Sequence, residues 1–320
     1  MAQIGTDVAL AKSFLQDGKL VGIPTETVYG LAGNALDAKA VALIFETKNR
    51  PSFDPLILHT SSLKRVGDFV AEFPSELKKL AEAFWPGPLT LLLPKRAIVP
   101  DLVTSGLDRV AVRVPNHSLT LTLLEALDFP LAAPSANPFG YISPTQPSHV
   151  EVQLGEKIPY ILDGGASAVG LESTIVGMEA NELIIYRLGG LEISEIERLV
   201  GPVRIRDHSS SNPAAPGQLE SHYAPRKPFL LGDLKQLIVE NLEREIDFAV
   251  LSFSDFFPEV RAERQIALSR SGDMHEAAKN LFSAMRRLDE SPASLILAEL
   301  SPDTGLGKAI NDRLKRAATR

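Results

Sequence analysis

Cysteine is missing from all 320 residues. Disulfide frameworks, thiolate zinc sites and cysteine nucleophiles are thereby excluded, and the chain fits a reducing compartment such as the cytoplasm. A long apolar run is also lacking: no stretch nears the ~18 residues of a membrane span. The opening segment MAQIGTDVALAKSF has no basic stretch leading into an apolar core, so no signal peptide is expected. Positive charge is in deficit. Net charge is −7, with 18 basic and 23 acidic residues over 1–206 and 15 and 17 over 207–320. Neither part has the basic excess of a dedicated nucleic-acid binder. Common signatures are absent as well. There is no G-x-x-x-x-G-K-[ST] phosphate loop, no G-x-G-x-x-G after a strand, no H-E-x-x-H and no G-x-S-x-G elbow. A nucleotide, if bound, is held by another device.

What is present reads as two layered α/β units. The length fits about two domains of roughly 100–200 residues, and 44% apolar content can fill a core without staples. Helical and strand patterns alternate from the start. Helices are expected at Asp7–Gln16, Ala38–Thr47, Leu63–Ala71, Ser75–Phe84, Leu119–Leu127 and Ser194–Val200. Strands are expected at Leu20–Pro24, Leu56–His59, Leu89–Leu93, Val110–Val114, Leu131–Ala133, Ser173–Val176 and Leu183–Arg187. This mixture implies a twisted sheet covered by helices. The stretch HSSSNPAAPG at His208–Gly217 has linker composition. Beyond it an α/β pattern restarts, with strands at Phe229–Leu231, Phe248–Ser252 and Leu295–Ala298 and helices at Asp273–Leu288 and Lys308–Ala318. The expected division is 1–206, a linker at 207–227, and 228–320.

Several segments carry more polarity than plain structure needs. Strand ends in open α/β sheets are where ligands sit, and Gly22–Leu31 runs from a strand into two threonines, a glutamate and a tyrosine. Lys48 and Arg50 follow a helix and precede Pro51 and Pro55. The helix dipole accounts for the charges, whereas a stiff loop bearing two cations also suits a polyphosphate. His59 ends an apolar strand. Arg113 lies inside one and needs either an internal acid or a ligand anion. Small residues at Ala132–Asn137, with Gly140 and Ser143-Pro-Thr145, permit close backbone approach. Glu172-Ser-Thr-Ile-Val176 is a polar strand entry, Arg187 ends the next strand, and His222-Tyr-Ala-Pro225 follows the linker. Together these imply an anionic, polyphosphate-bearing ligand with a small carboxylate, and no evident nucleophile or general base.

The order PTETVYGL, KNRP, PLILH, WPGPLTLLL, AVRVP, APSAN, SPT, ESTI, YRLG and PGQLESHYAP resembles the threonylcarbamoyl-AMP synthase family over residues ~10–225. GLGKAINDRLKRA at Gly305–Ala317 extends the likeness to its long form, a YrdC-like catalytic domain followed by a small C-terminal domain. The resemblance implies a YrdC-like twisted open mixed sheet and a smaller Rossmann-like α/β domain. It implies that L-threonine, bicarbonate and ATP, with Mg²⁺, give threonylcarbamoyl-AMP and pyrophosphate. Separate tRNA-modifying proteins would then use the product, with at most transient tRNA contact by this chain. By motif, Thr27, His59, Arg113, Ala133 and Ser173 would surround threonine. Lys48, Arg50, Asp54, Arg109, Ser135, Asn137, Ser143, Arg187 and Tyr223 would serve ATP, with Tyr223 arriving as the linker folds over the cleft. Three positions depart from the family pattern: Asp54 replaces asparagine, Phe139 replaces a small serine, and Glu220 replaces a residue that is often basic.

Overall fold

The computed structural model describes residues 1–206, 213, 215–217 and 222–319. The expected linker is therefore described only in part, and Glu220 lies outside the described residues. In chain order the first part runs β1 (Gln3–Gly5), α1 (Val8–Gln16), β2 (Val21–Ile23), β3 (Gly30–Asn34), α2 (Ala38–Lys48), β4 (Ile57–His59), α3 (Leu63–Val66), α4 (Ser75–Phe84), β5 (Leu89–Pro94), α5 (Asp101–Thr104), β6 (Arg109–Arg113), α6 (Ser118–Ala126), β7 (Leu131–Ala132), α7 (Pro147–Leu154), β8 (Tyr160–Leu162), β9 (Thr174–Glu179), β10 (Glu182–Arg187), α8 (Ile193–Val200) and β11 (Arg204–Ile205). These strands form one mixed sheet in the order β1-β8-β2-β3-β7-β4-β6-β5-β9-β10-β11.

Short apolar runs become strands because both sheet faces are covered. Ile57, Leu58 and His59 are all buried, as are Val110 to Arg113. Asp7 caps α1 by accepting from the Leu10 amide at 3.0 Å. Two expectations fail for local reasons. The stretch Leu63–Ala71 is helical only to Val66, because the Ala71 amide bonds Pro94 O at 2.9 Å and Val70 bridges Lys95, drawing the chain onto the end of β5. The polar stretch Gly22–Leu31, expected to leave its strand, returns to the sheet: Gly30 opens β3, which pairs antiparallel with β2. There Gly33 leaves room for Leu20 and Ile44, which a Cβ would meet at 2.8 and 3.2 Å.

The second part comprises β12 (Phe229–Leu231), α9 (Leu234–Glu243), β13 (Phe248–Ser252), β14 (Gln265–Ala267), α10 (Met274–Glu290), β15 (Leu295–Ala298) and α11 (Gly307–Ala317). Its four strands are all parallel, in the order β12-β15-β13-β14. Parallel strands require buried faces, and α10 supplies one cover with Ala277, Leu281, Phe282, Met285 and Leu288. The core on that side does not stop at the domain. It continues through Tyr223 into Val28, Tyr141, Ile142 and Leu171 of the first part.

One backbone contact makes the junction close. Gly170, at φ +77°, lies against α10 so tightly that a Cβ would stand 2.5 Å from the Lys279 Cα. Gly106 has a similar φ of +80° but meets nothing within 4 Å. Gly106→Ala should therefore cost only the left-handed strain, about 1 kcal/mol. Gly170→Ala should cost at least ~2 kcal/mol more, since the backbone behind it cannot yield. Urea denaturation of both variants checks this, and equal losses would remove the close approach as a constraint.

Candidate functional site

Register brings the polar residues together. In the parallel pair of β4 and β6, His59 stands opposite Arg113, and antiparallel β7 places Leu131 beside His59. Gly30 bridges to Ser135. The Thr174 start of β9 pairs with Leu89, and Arg187 at the end of β10 reaches back to Ser173. The result is a hollow of about 600 Å³ at these strand ends. Of the residues expected at a site, Thr27, His59, Arg113, Ala133, Ser173, Arg50, Ser135, Arg187 and Tyr223 all line it.

A chain of hydrogen bonds fixes Arg113. Its Nη1 donates to Thr27 Oγ1 at 2.8 Å, and its Nε donates to Gly87 O at 3.3 Å. Thr25 Oγ1 donates to Val28 O at 2.6 Å, so the 2.7 Å contact between the two threonines has Thr27 as donor. Nη2 of Arg113 lies 2.7 Å from Glu26 Oε1. The two sources of compensation left open by the sequence resolve here into an internal acid, with the guanidinium edge still at the hollow. Arg187 is held the same way. Its Nε and Nη2 donate to Ser173 O at 3.1 and 2.9 Å, and Nη2 also donates to Ser173 Oγ at 3.1 Å. Burial lowers the Arg187 pKa to about 10.

His59 Nδ1 lies 3.1 Å from Ile57 O. A carbonyl only accepts, so Nδ1 carries the proton and Nε2 is left as an acceptor. Burial, reinforced by Arg113, pushes this histidine down to about 3, so it is neutral at ordinary pH.

Four expected residues sit behind the wall rather than in it. Lys48 Nζ donates to Ser135 O and Asn137 O, and burial followed by repulsion from Arg50 lowers its pKa well below the usual lysine range. Asn137 Nδ2 donates to Tyr141 O at 2.8 Å. Ser143 Oγ donates to Glu172 Oε1 at 2.6 Å. Asp54 pairs with Arg50 Nη2 at 2.8 Å, so the extra charge at this position is answered within the protein. Burial still pushes the Asp54 carboxyl up, against the pull of Arg50. The expectation for Arg109 is corrected. It begins β6 whereas Arg113 ends it, and four residues of strand span roughly 13 Å. Arg109 instead donates to Tyr186 Oη at 2.8 Å, on the other side of the sheet's length.

Glu26, Glu172 and His222 received no role from sequence, although each stands in a quoted motif. The available signal was a carboxylate flanked by apolar strands that also bury arginine. Glu172 lines the hollow, and its Oε2 accepts from Arg313 Nε and Nη2 at 3.2 and 3.0 Å. Burial opposes its ionisation, but Arg313 and then Arg187 outweigh that and hold its pKa below the usual glutamate value. His222 and Tyr223 close one side with Pro216 and Gly217. Tyr223 adopts φ +67°, a left-handed backbone rare for a bulky residue. Its ring stacks on Phe282 at 5.4 Å and lies under Arg313 and Arg316 at 5.3 and 4.8 Å. Phe139 meets the His222 ring edge-on at 5.7 Å and lies under Arg50, so it braces this side rather than standing free at an entrance. Among the described residues, no group of three or more His, Asp or Glu side chains could hold a metal ion.

Residues 13–189 match a family model described as "Telomere recombination", of the Sua5, YciO and YrdC group, and residues 191–319 match the threonylcarbamoyl-AMP synthase C-terminal domain. The chain is similar to the threonylcarbamoyl-AMP synthase of Pyrococcus abyssi, 39% identical over 97% of this chain and 94% of that one. It is also similar to that of Bacillus subtilis, 37% identical over 97% and 92%. A shorter putative synthase from Methanocaldococcus jannaschii is 31% identical, matching 58% of this chain but 87% of its own length. Among solved structures, P. abyssi Sua5 complexed with L-threonine superposes with a TM-score of 0.92 at 38% identity, covering 99% of this chain and 97% of that one. The chain belongs to the threonylcarbamoyl-AMP synthase family in its long, two-domain form.

Proposed function

We infer that this chain is an L-threonylcarbamoyladenylate synthase, a nucleotidyltransferase that joins L-threonine, bicarbonate and ATP into threonylcarbamoyl-AMP and pyrophosphate. The observation that carries the reading is the meeting of Arg50, Arg113 and Arg187 with His59, Ser135 and Ser173 in one hollow. Threonine is a substrate, and its carboxylate is assigned to the Arg113 edge. The neutral His59 offers Nε2 to a hydroxyl or ammonium proton. The triphosphate is assigned to the side of Arg50, Ser135 and Arg187, with Lys48 below and Tyr223 closing over. Threonine carbamate would form first, the amine nitrogen bonding the bicarbonate carbon as a C–O bond breaks and water leaves. One of its oxygens then attacks the α-phosphorus, the bond to the bridging oxygen breaks, and pyrophosphate leaves.

The carbamate is already a nucleophile, so the protein's task is positioning and charge neutralisation. Guanidinium groups fixed by Thr27, Gly87 O and Ser173 O need no reorganisation when charge develops. Three described carboxylates at the site are each paired with an arginine: Glu26 with Arg113, Asp54 with Arg50, and Glu172 with Arg313. These residues fit Mg²⁺ arriving on ATP, coordinated by phosphate oxygens and water, rather than an ion resident on protein carboxylates. Separate proteins would carry the product to tRNA in the cytoplasm. Among the described residues, no helix is long and apolar enough to cross a membrane.

Four outcomes are expected. Pyrophosphate release from ATP should require both threonine and bicarbonate; release indifferent to either removes the assigned reaction. Lys48→Ala and Arg113→Ala should each lower that release at least ~100-fold while far-UV circular dichroism is unchanged, and retained activity in both would dissolve the site. Threonine affinity, followed by calorimetry, should stay flat between about pH 8 and 5.5, because His59 titrates only near 3. Stability behaves differently. The folded pKa of His59 lies below the ordinary histidine value of 6.5, so the unfolded chain binds the extra proton first. Its contribution is complete above about pH 6.5 and is lost at up to ~1.4 kcal/mol per pH unit on acidification towards 3. A midpoint in urea that did not fall between pH 7 and 5 would contradict a buried neutral His59.

A further inference from the structure

We propose that Arg313 and Arg286, two buried arginines of the second domain, are positioning residues for the nucleotide side of the site. The inference rests on the reading that Ser143, Arg187 and Tyr223 serve ATP. Glu172 is the hinge of the case. It faces the hollow, and both of its oxygens are occupied from opposite domains: Oε1 by Ser143 at 2.6 Å and Oε2 by Arg313 at 3.0 and 3.2 Å. Arg313 is 0% exposed. Its Nη1 also donates to Leu188 O at 2.6 Å, so it grips the residue that follows Arg187. Its plane lies over the Tyr223 ring. One side chain from α11 thus touches the carboxylate, the strand end and the aromatic cover of the same hollow.

Arg286 on α10 holds the other flank. It is 2% exposed, and it donates from Nε to Ser143 O at 3.3 Å and from Nη2 to Ile142 O and to Gln153 Oε1. Ser143 is therefore gripped through its backbone by α10 and through its hydroxyl, by way of Glu172, from α11. Buried ion pairs seldom add net stability over packed apolar groups. A fork that sets two directions at once is a reason to keep arginine here, and lysine cannot reproduce it.

A structural role alone is separable, because the same interface has a charged contact that does not line the hollow. Asp289 accepts from Tyr141 Oη at 2.6 Å and from Arg226 Nε at 2.9 Å, and does not line the site. The test uses the full chain as Arg313→Met, Arg313→Lys, Glu172→Gln and Asp289→Asn. ATP-dependent pyrophosphate release, threonine affinity and thermal melting are measured for each. Arg313→Met should raise KM for ATP at least tenfold and leave threonine Kd within twofold. Arg313→Lys should fall between it and the parent. The double variant Arg313→Met/Glu172→Gln should be no worse than Arg313→Met alone. Asp289→Asn should lower the melting temperature yet keep KM for ATP within twofold.

Amide hydrogen exchange gives a readout that needs no turnover. Residues 187–189, which Arg313 grips at Leu188 O, should exchange at least tenfold faster in Arg313→Met and unchanged in Asp289→Asn. Unaltered exchange there, or a KM shift matched by Asp289→Asn at equal melting loss, overturns the proposal. A parent chain inert towards ATP would sink the assigned reaction, whereas the exchange result would still decide whether the second domain sets this wall.

Discussion

A buried guanidinium has to be answered by an anion or by fixed acceptors, or it does not stay charged. Around this hollow that constraint is met three times, by Glu26 for Arg113, Asp54 for Arg50 and Glu172 for Arg313. Each pair costs desolvation, and each leaves its arginine oriented before any ligand arrives. Within the sheet, polar residues lining the hollow end adjacent strands at one level. His59 opposite Arg113 is the register that achieves it.

The second domain enters the same economy of charge. Its α10 and α11 continue the apolar core of the first part and deliver Arg286 and Arg313 to the back of the site. Tyr223 lies between the two bodies, flattened against Phe282 and held in a left-handed turn. Strained residues of this kind persist where the surroundings over-determine them, and here stacking on one side and two guanidinium planes supply that determination.

Much of this was readable from the chain. The strands at Phe248–Ser252 and Leu295–Ala298 coincide with expectation because fully buried parallel strands read as bare apolar runs, and Phe229–Leu231 coincides as an apolar run although Leu230 is exposed. Strand β3, with the sequence GLAGN, was hidden because its glycines mimic a turn while serving close packing. At the site, Arg113 and His59 announced themselves as polar residues at apolar strand ends. Arg109 shared Arg113's strand in sequence but not its end in space. The carboxylates Glu26 and Glu172 were legible as polar residues beside apolar strands but not as partners, since pairing with a distant arginine leaves no local periodicity to read. Lys48 was legible as a cation, but not as one that supports Ser135 and Asn137 from below.

The continuous core between the two parts bears on the shorter relatives that match only the first. A chain ending after β11 would turn the wall formed by Val28, Tyr141, Ile142 and Leu171 outward to water. Glu172 would lose the arginine beside it. Such a chain must recolour that wall with polar side chains or lean it against another molecule, and it must find a different cation to steady the carboxylate. Gain or loss of the second domain is therefore not a matter of adding or trimming an appendage; it rewrites one face of the substrate chamber.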